Sequence, residues 1–261
     1  MELHVIIPDF EVMFSQIMDF QTEETSPFWS KPLFHFYPQL DEPYALSLPF
    51  ADRKRYFEQT LQNVYEELRP TFQQKAKLYQ AYWETCKPQI TAALSEAFGV
   101  DCGELLNDMN CQVSMNPISP RYLKERTFTI FYLNSEKGMM GLSIHEIIHF
   151  VWFLVWNRLF EDSYEEYETP SLKWILSEMV VESIMKDERL SSINPYFPRE
   201  NGGCIYPYFY DLVVEEKPIL DTLDELYRSR NIQDFMKESY AYCLAHETEI
   251  REHIRRSEDN F

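Results

Sequence analysis

Glycine is scarce in this chain, with 6 among 261 residues. Loops that cradle phosphates need glycine for close backbone approach, and neither a GxGxxG nor a GxxxxGKS/T run is present. Basic residues are also few: 24 Lys and Arg stand against 43 Asp and Glu, a formal charge of −19. Nucleic-acid binding rests on neutralising phosphates, so this balance argues against it, and against anionic membrane surfaces. The five cysteines, Cys86, Cys102, Cys111, Cys204 and Cys243, are odd in number and never spaced CxxC. That pattern fits free thiols in a reducing compartment rather than a disulfide framework. The longest unbroken apolar run, Phe150 to Trp156, is far shorter than a bilayer span. The opening MELHVIIPDFEVMF has no basic stretch before its apolar residues, so it does not read as a signal peptide. The expectation is a soluble, cytoplasmic protein.

What is present is apolar and aromatic. Hydrophobic residues make up 45% of the chain, enough for a globular core. The length suits one large domain or two small ones. The character changes near residue 110, which divides a mainly helical region, 1–109, from a second region, 110–261. In the first, residues 3–7 (LHVII) read as a short strand, followed by an amphipathic stretch to Phe20. Residues 26–50 are rich in proline and aromatics and cannot form one helix. They are expected to lie as an extended, irregular cover over a groove or to serve as a partner-binding arm. Helices are expected over 51–68 and 71–86, parted by Pro70, with Pro88 ending the pattern before a short helix at 89–98. In the second region CQVSM (111–115) and TFTIFYL (127–133) read as strands joined by a loop. The acidic stretch EDSYEEYET then leads to a helix starting at Pro170, with Thr169 as N-cap. The turn-rich NPYFPRENGG follows, and 218–257 is again helical.

Chemistry concentrates in one segment. From Ile144 to Trp156 the chain reads IHEIIHFVWFLVW, and His145, Glu146 and His149 are its polar members. On a helix, His149 lies about 40° and Glu146 about 100° around from His145. The imidazoles therefore share a face, with the carboxylate beside them and apolar residues in every other direction. Such a helix is buried, and unpaired polar groups in it would cost several kcal/mol each. One Zn²⁺ ion satisfies them: histidines at i and i+4 can ligate it, and Glu146 is placed to deprotonate a bound water. A simpler reading of Ser143-x-x-Glu146 is a capping box, which accounts for Glu146 but not for two histidines on one buried face. The next long helix, PSLKWILSEMVVESIM, carries Glu178 and Glu182 four apart in an apolar stripe. Glu178 supplies a third ligand. Glu182 is placed to accept the second N–H of a ligating histidine.

HEIIH followed by SEMVVE resembles the gluzincin branch of the zincin metallopeptidases, over roughly residues 110–190. The resemblance implies an α+β, predominantly helical fold, with a zincin-like core and a small β-sheet beside the HExxH helix. It also implies an edge strand along which substrate is added, a role that TFTIFYL fits. In that family a Tyr or His steadies the oxyanion. Tyr206, Tyr208, Tyr210 and His246 are the candidates here. The active site is expected in a cleft between an N-terminal part and a C-terminal helical part.

The sequence reading is thus a zinc metallopeptidase with one zinc per chain, acting on a peptide or protein substrate. Its alternative is a silent or latent zincin scaffold serving as a binding or regulatory module, with 26–50 over the cleft. A purely structural helical protein without metal is a third reading. Cys204 and Cys243 read as core or surface thiols rather than ligands. His4, His35 and His253 have no partner pattern.

Overall fold

The computed structural model describes residues 1–162, 167–195 and 203–258. In chain order the elements are β1 (Leu3–Ile6), α1 (Phe10–Met18), α2 (Pro27–Phe36), α3 (Glu42–Ser47), α4 (Phe50–Phe98), α5 (Cys102–Leu105), β2 (Met109–Ser114), β3 (Arg121–Tyr122), β4 (Thr127–Phe131), α6 (Glu136–Phe160), α7 (Leu172–Lys186), α8 (Glu188–Ser191), β5 (Val213–Val214), β6 (Lys217–Pro218), α9 (Ile219–Ser229), α10 (Ile232–Ala245) and α11 (Glu247–Glu258). The fold is α+β and predominantly helical, as expected, with a small mixed sheet. The chain divides into two compact units. One holds Leu3–Tyr82 and Met109–Met139; the other holds Met1–Glu2, Trp83–Asp108 and the chain from Met140 onward.

The first unit carries the four-stranded sheet, in the order β1-β2-β4-β3. β2 runs parallel to β1 and to β4, and β3 closes antiparallel on β4. β4 was expected as an edge strand, but it has neighbours on both sides. The loop PISPRYLKER supplies the second neighbour, because Arg121 and Tyr122 pair with Phe128 and Thr127. Every residue of β4 is buried, which suits an interior strand. The Pro-aromatic segment also differs from its expected extended form. Two of its prolines sit in helical first turns, where the missing N–H costs nothing, while Pro32 lies inside α2. Pro27 begins α2, and Pro43 follows Asp41, whose carboxylate accepts the Tyr44 N–H at 2.8 Å.

Pro70 and Pro88 do not break the chain either. α4 runs 49 residues through both. Phe57, Leu61, Phe72, Tyr79, Trp83, Ile90 and Leu94 are fully buried. Their spacings of 4, 7 and 11 residues fall close to one, two and three helical turns, so one stripe continues past both prolines. Both proline rings lie exposed, where water can satisfy the freed carbonyls. Burial of the stripe outweighs the local cost of the two prolines.

The second unit is helical apart from the two-residue β5–β6 hairpin. α6 starts earlier than the expected segment. Ser135 caps it, its hydroxyl accepting the Gly138 N–H at 3.1 Å. Ser143 is therefore two turns inside the helix and fully buried, which overturns the capping-box reading. By length and composition α6 could cross a membrane, but 78% of its apolar window is buried within the protein. Trp152 packs edge-on against Phe235 of α10, and Trp156 against Tyr240. α7 is capped by Ser171, whose hydroxyl accepts the Trp174 N–H at 3.1 Å, rather than by Thr169. The 218–257 region is helical as expected, in α9 to α11. NPYFPRENGG lies largely outside the described residues, as does the middle of the acidic stretch. All five cysteines are free.

Asp187 ends α7. It accepts from the Arg189 N–H at 3.0 Å, from Arg189 Nε at 2.8 Å and from Tyr227 of α9 at 2.9 Å. The Arg189 side chain, more than any other group, holds its carboxyl down at about 2. An unfolded aspartate titrates near about 3.9. The stabilisation is thus complete above that value and lost as pH falls through about 2.

Two outcomes follow from this packing. Pro70→Ala restores a helical hydrogen bond at an exposed site and should stabilise the protein by about 1–3 kcal/mol in denaturant unfolding. Asp187→Asn should lower stability by a constant amount from neutral pH down to about pH 4, with the difference vanishing towards about pH 2. Melting curves of both proteins across that range check the sign.

Candidate metal centre

α6 and α7 bring three donors together within the helical unit. His145 and His149 lie one turn apart on α6, and Glu178 faces them from α7. The two imidazole Nε2 atoms are 3.0 Å apart. Glu178 Oε2 is 3.6 Å from His145 Nε2, and its Oε1 is 3.5 Å from His149 Nε2. All three donor atoms fall within 4.8 Å of one another, so one ion can touch them all. The imidazoles meet edge to face, with ring centroids 4.8 Å apart.

Burial is steep across the group. The side chain of His145 is 12% exposed, that of Glu178 2% and that of His149 0%. Glu146 is also buried, one residue beyond His145. Two carboxylates and two imidazoles in an apolar interior call for a cation. The donor set fits a divalent metal ion.

The tautomer of His145 has an assigned partner. Its Nδ1 lies 3.0 Å from the Cys204 carbonyl oxygen. A carbonyl can only accept, so Nδ1 carries the proton and Nε2 presents its lone pair to the centre. A reading based on side chains could not find this group, because a backbone carbonyl leaves no mark in residue identity. Glu182, the expected partner of a ligating histidine, makes a 2.6 Å ion pair with Lys186 one turn along α7.

The oxyanion candidates separate. Tyr210 turns its hydroxyl to the backbone, accepting the N–H groups of Cys204 at 3.0 Å and Ile205 at 3.3 Å. His246 faces Glu215 and Glu249 and lies against Tyr242, outside the triad. Tyr206 stacks on Tyr208 at 5.4 Å and meets Trp174 at 6.0 Å. Tyr208 is buried; burial raises its phenol well above the ordinary value, and the charges of Glu258 and Glu178 add to the rise. The charge of Glu178, one of the three donors, thus reaches the Tyr208 phenol.

Asp162 ties the two ligand helices at their near ends. It accepts from Trp156 Nε1 of α6 at 2.6 Å and pairs with Lys173 of α7 at 2.7 Å. Asp162→Ala should cost about 1.5–3 kcal/mol of stability, since it strands two partly buried donors. Denaturant unfolding beside the milder Asp162→Asn checks this, with the amide variant losing less.

Comparison with known families, curated proteins and solved structures finds no match to this chain.

Proposed function

We propose that His145, His149 and Glu178 hold a zinc ion and that the protein is a zinc-dependent hydrolase of peptide bonds. The observation that carries the metal is the convergence of three donors, two of them buried, within 4.8 Å of one another. The separations favour zinc. Tetrahedral ligands at about 2.0–2.2 Å from Zn²⁺ stand about 3.3 Å from one another. The three separations here are 3.0, 3.5 and 3.6 Å. Three protein ligands leave a fourth position open, as catalytic zinc sites do. The likeness of HEIIH and SEMVVE to the gluzincins supports the hydrolase part of the reading. The interior place of β4 means that the family's substrate-edge role is not carried over to this strand.

Zinc in such a site supplies Lewis-acid activation of water and of a carbonyl. The residues around it then have defined work. Glu146 accepts the proton of the attacking water and returns it to the leaving amine. Glu146 is buried one residue beyond His145, out of bulk water. Tyr208 stays a neutral phenol and donates a hydrogen bond to the oxyanion. The Cys204 carbonyl holds His145 in the ligating tautomer.

Elemental analysis of protein purified without chelator should find about one zinc per chain, and His149→Ala should lose it. Glu146→Gln should keep the metal and lose at least about 100-fold in kcat on cleavable peptides. Tyr208→Phe should lower kcat with metal retained. Full activity in Glu146→Gln would remove the hydrolase mechanism; no metal in the wild type would remove the site.

A further inference from the structure

The peptide unit that meets His145 is held from both ends. A trans peptide points its C=O and N–H in opposite directions across one rigid plane. In the unit between Cys204 and Ile205, the carbonyl lies 3.0 Å from His145 Nδ1. The N–H at the other end donates to the Tyr210 hydroxyl at 3.3 Å. The same hydroxyl accepts the preceding N–H, of Cys204, at 3.0 Å. Two consecutive amides are thus gathered onto one oxygen, which turns the carbonyl between them outward to the imidazole.

Gly203 makes the room. Its φ is +65°, a conformation that other residues adopt at a cost. A Cβ built there would fall on the Tyr210 hydroxyl and ring. The turn therefore needs glycine twice, for its backbone angle and for the phenol pressed against it.

We infer that Tyr210, seated on Gly203, is a positioning residue for the metal centre: it aims the Cys204 carbonyl at Nδ1 of His145 and so fixes which imidazole nitrogen is free to ligate. The phenol suits this task. An un-ionised hydroxyl has two lone pairs for the two N–H groups. Burial, ahead of every other influence, raises the Tyr210 phenol and keeps it un-ionised. A peptide plane costs no side-chain entropy to orient, unlike the carboxylate that more often backs a metal-bound histidine. The role in ligation rests on the zinc reading; the role in tautomer selection does not.

The test separates them. Long-range ¹H–¹⁵N NMR of zinc-free protein at about pH 8, where imidazoles are neutral, reads the tautomer of His145 directly. In the wild type the expected result is a single Nδ1–H form. In Tyr210→Phe, with unchanged far-ultraviolet circular dichroism, the resonances should move towards a mixture with the Nε2–H form. Zinc affinity, measured by competition with a chelator, should fall about 10- to 100-fold with stoichiometry retained. Gly203→Ala should act in the same direction, and the double variant should be no worse than the more affected single one. A wild-type His145 in the Nε2–H form overturns the inference without any variant. So does a folded Tyr210→Phe with unaltered tautomer. Absence of zinc binding in the wild type would overturn the metal reading alone, leaving the tautomer to decide this one.

Discussion

Ionisable groups buried in an apolar interior must be compensated, and this requirement organises the helical unit. Glu178 and His149 are almost wholly removed from water, and Glu146 lies beside them. An isolated carboxylate moved out of water loses several kcal/mol of hydration even after the surroundings relax. A divalent cation at the point where His145, His149 and Glu178 converge would offset that loss, and the surrounding elements hold the groups to that point. Ser135 and Ser171 cap the two ligand helices. Asp162 joins their near ends, while Asp187 and Tyr227 fasten the far end of α7 to α9. The bulky stripe of Trp152 and Trp156 sets α6 against α10. Each of these is an ordinary packing or capping interaction, and together they leave the donors little freedom to disperse.

The site was more legible in the sequence than the fold around it. His145 and His149 could be placed on one face because α-helical periodicity is rigid, and Glu178 stood out as an anion inside an apolar stripe. Both inferences use local geometry alone. The elements misjudged were those decided by tertiary burial. Pro70 and Pro88 carry the strongest helix-breaking signal among the amino acids, yet α4 continues through them because seven large side chains are buried along one face. β4 looked like an edge strand, but a two-residue pairing by Arg121 and Tyr122 covers it, and no propensity marks so short a strand. Ser143 and Glu146 matched a capping box whose position depended on where the helix began. The Cys204 carbonyl was invisible for a different reason, since every residue has one.

The arrangement also separates roles that a motif merges. HExxH names two ligands and a base. In the structure the His145 end meets a backbone carbonyl and is partly exposed, while His149 is closed off within the unit. Glu182, four residues beyond Glu178, makes a 2.6 Å ion pair with Lys186. Outer support for the donors is thus supplied partly by the main chain of the 203–210 segment, which could diverge in side chains and keep its function provided Gly203 and Tyr210 persist.

The gradient of exposure across the donors has a kinetic meaning. His145 is reachable from solvent at 12%, Glu178 hardly so, and His149 not at all. In the proposed zinc site, an ion arriving from water would meet His145 first, shed its hydration shell in stages, and reach His149 last. Departure must retrace those steps, with the deepest bond broken before the shallowest. If the site holds zinc as proposed, affinity and rate of exchange fall to different residues: the buried histidine would govern how long the ion stays, and the exposed one how readily it is captured.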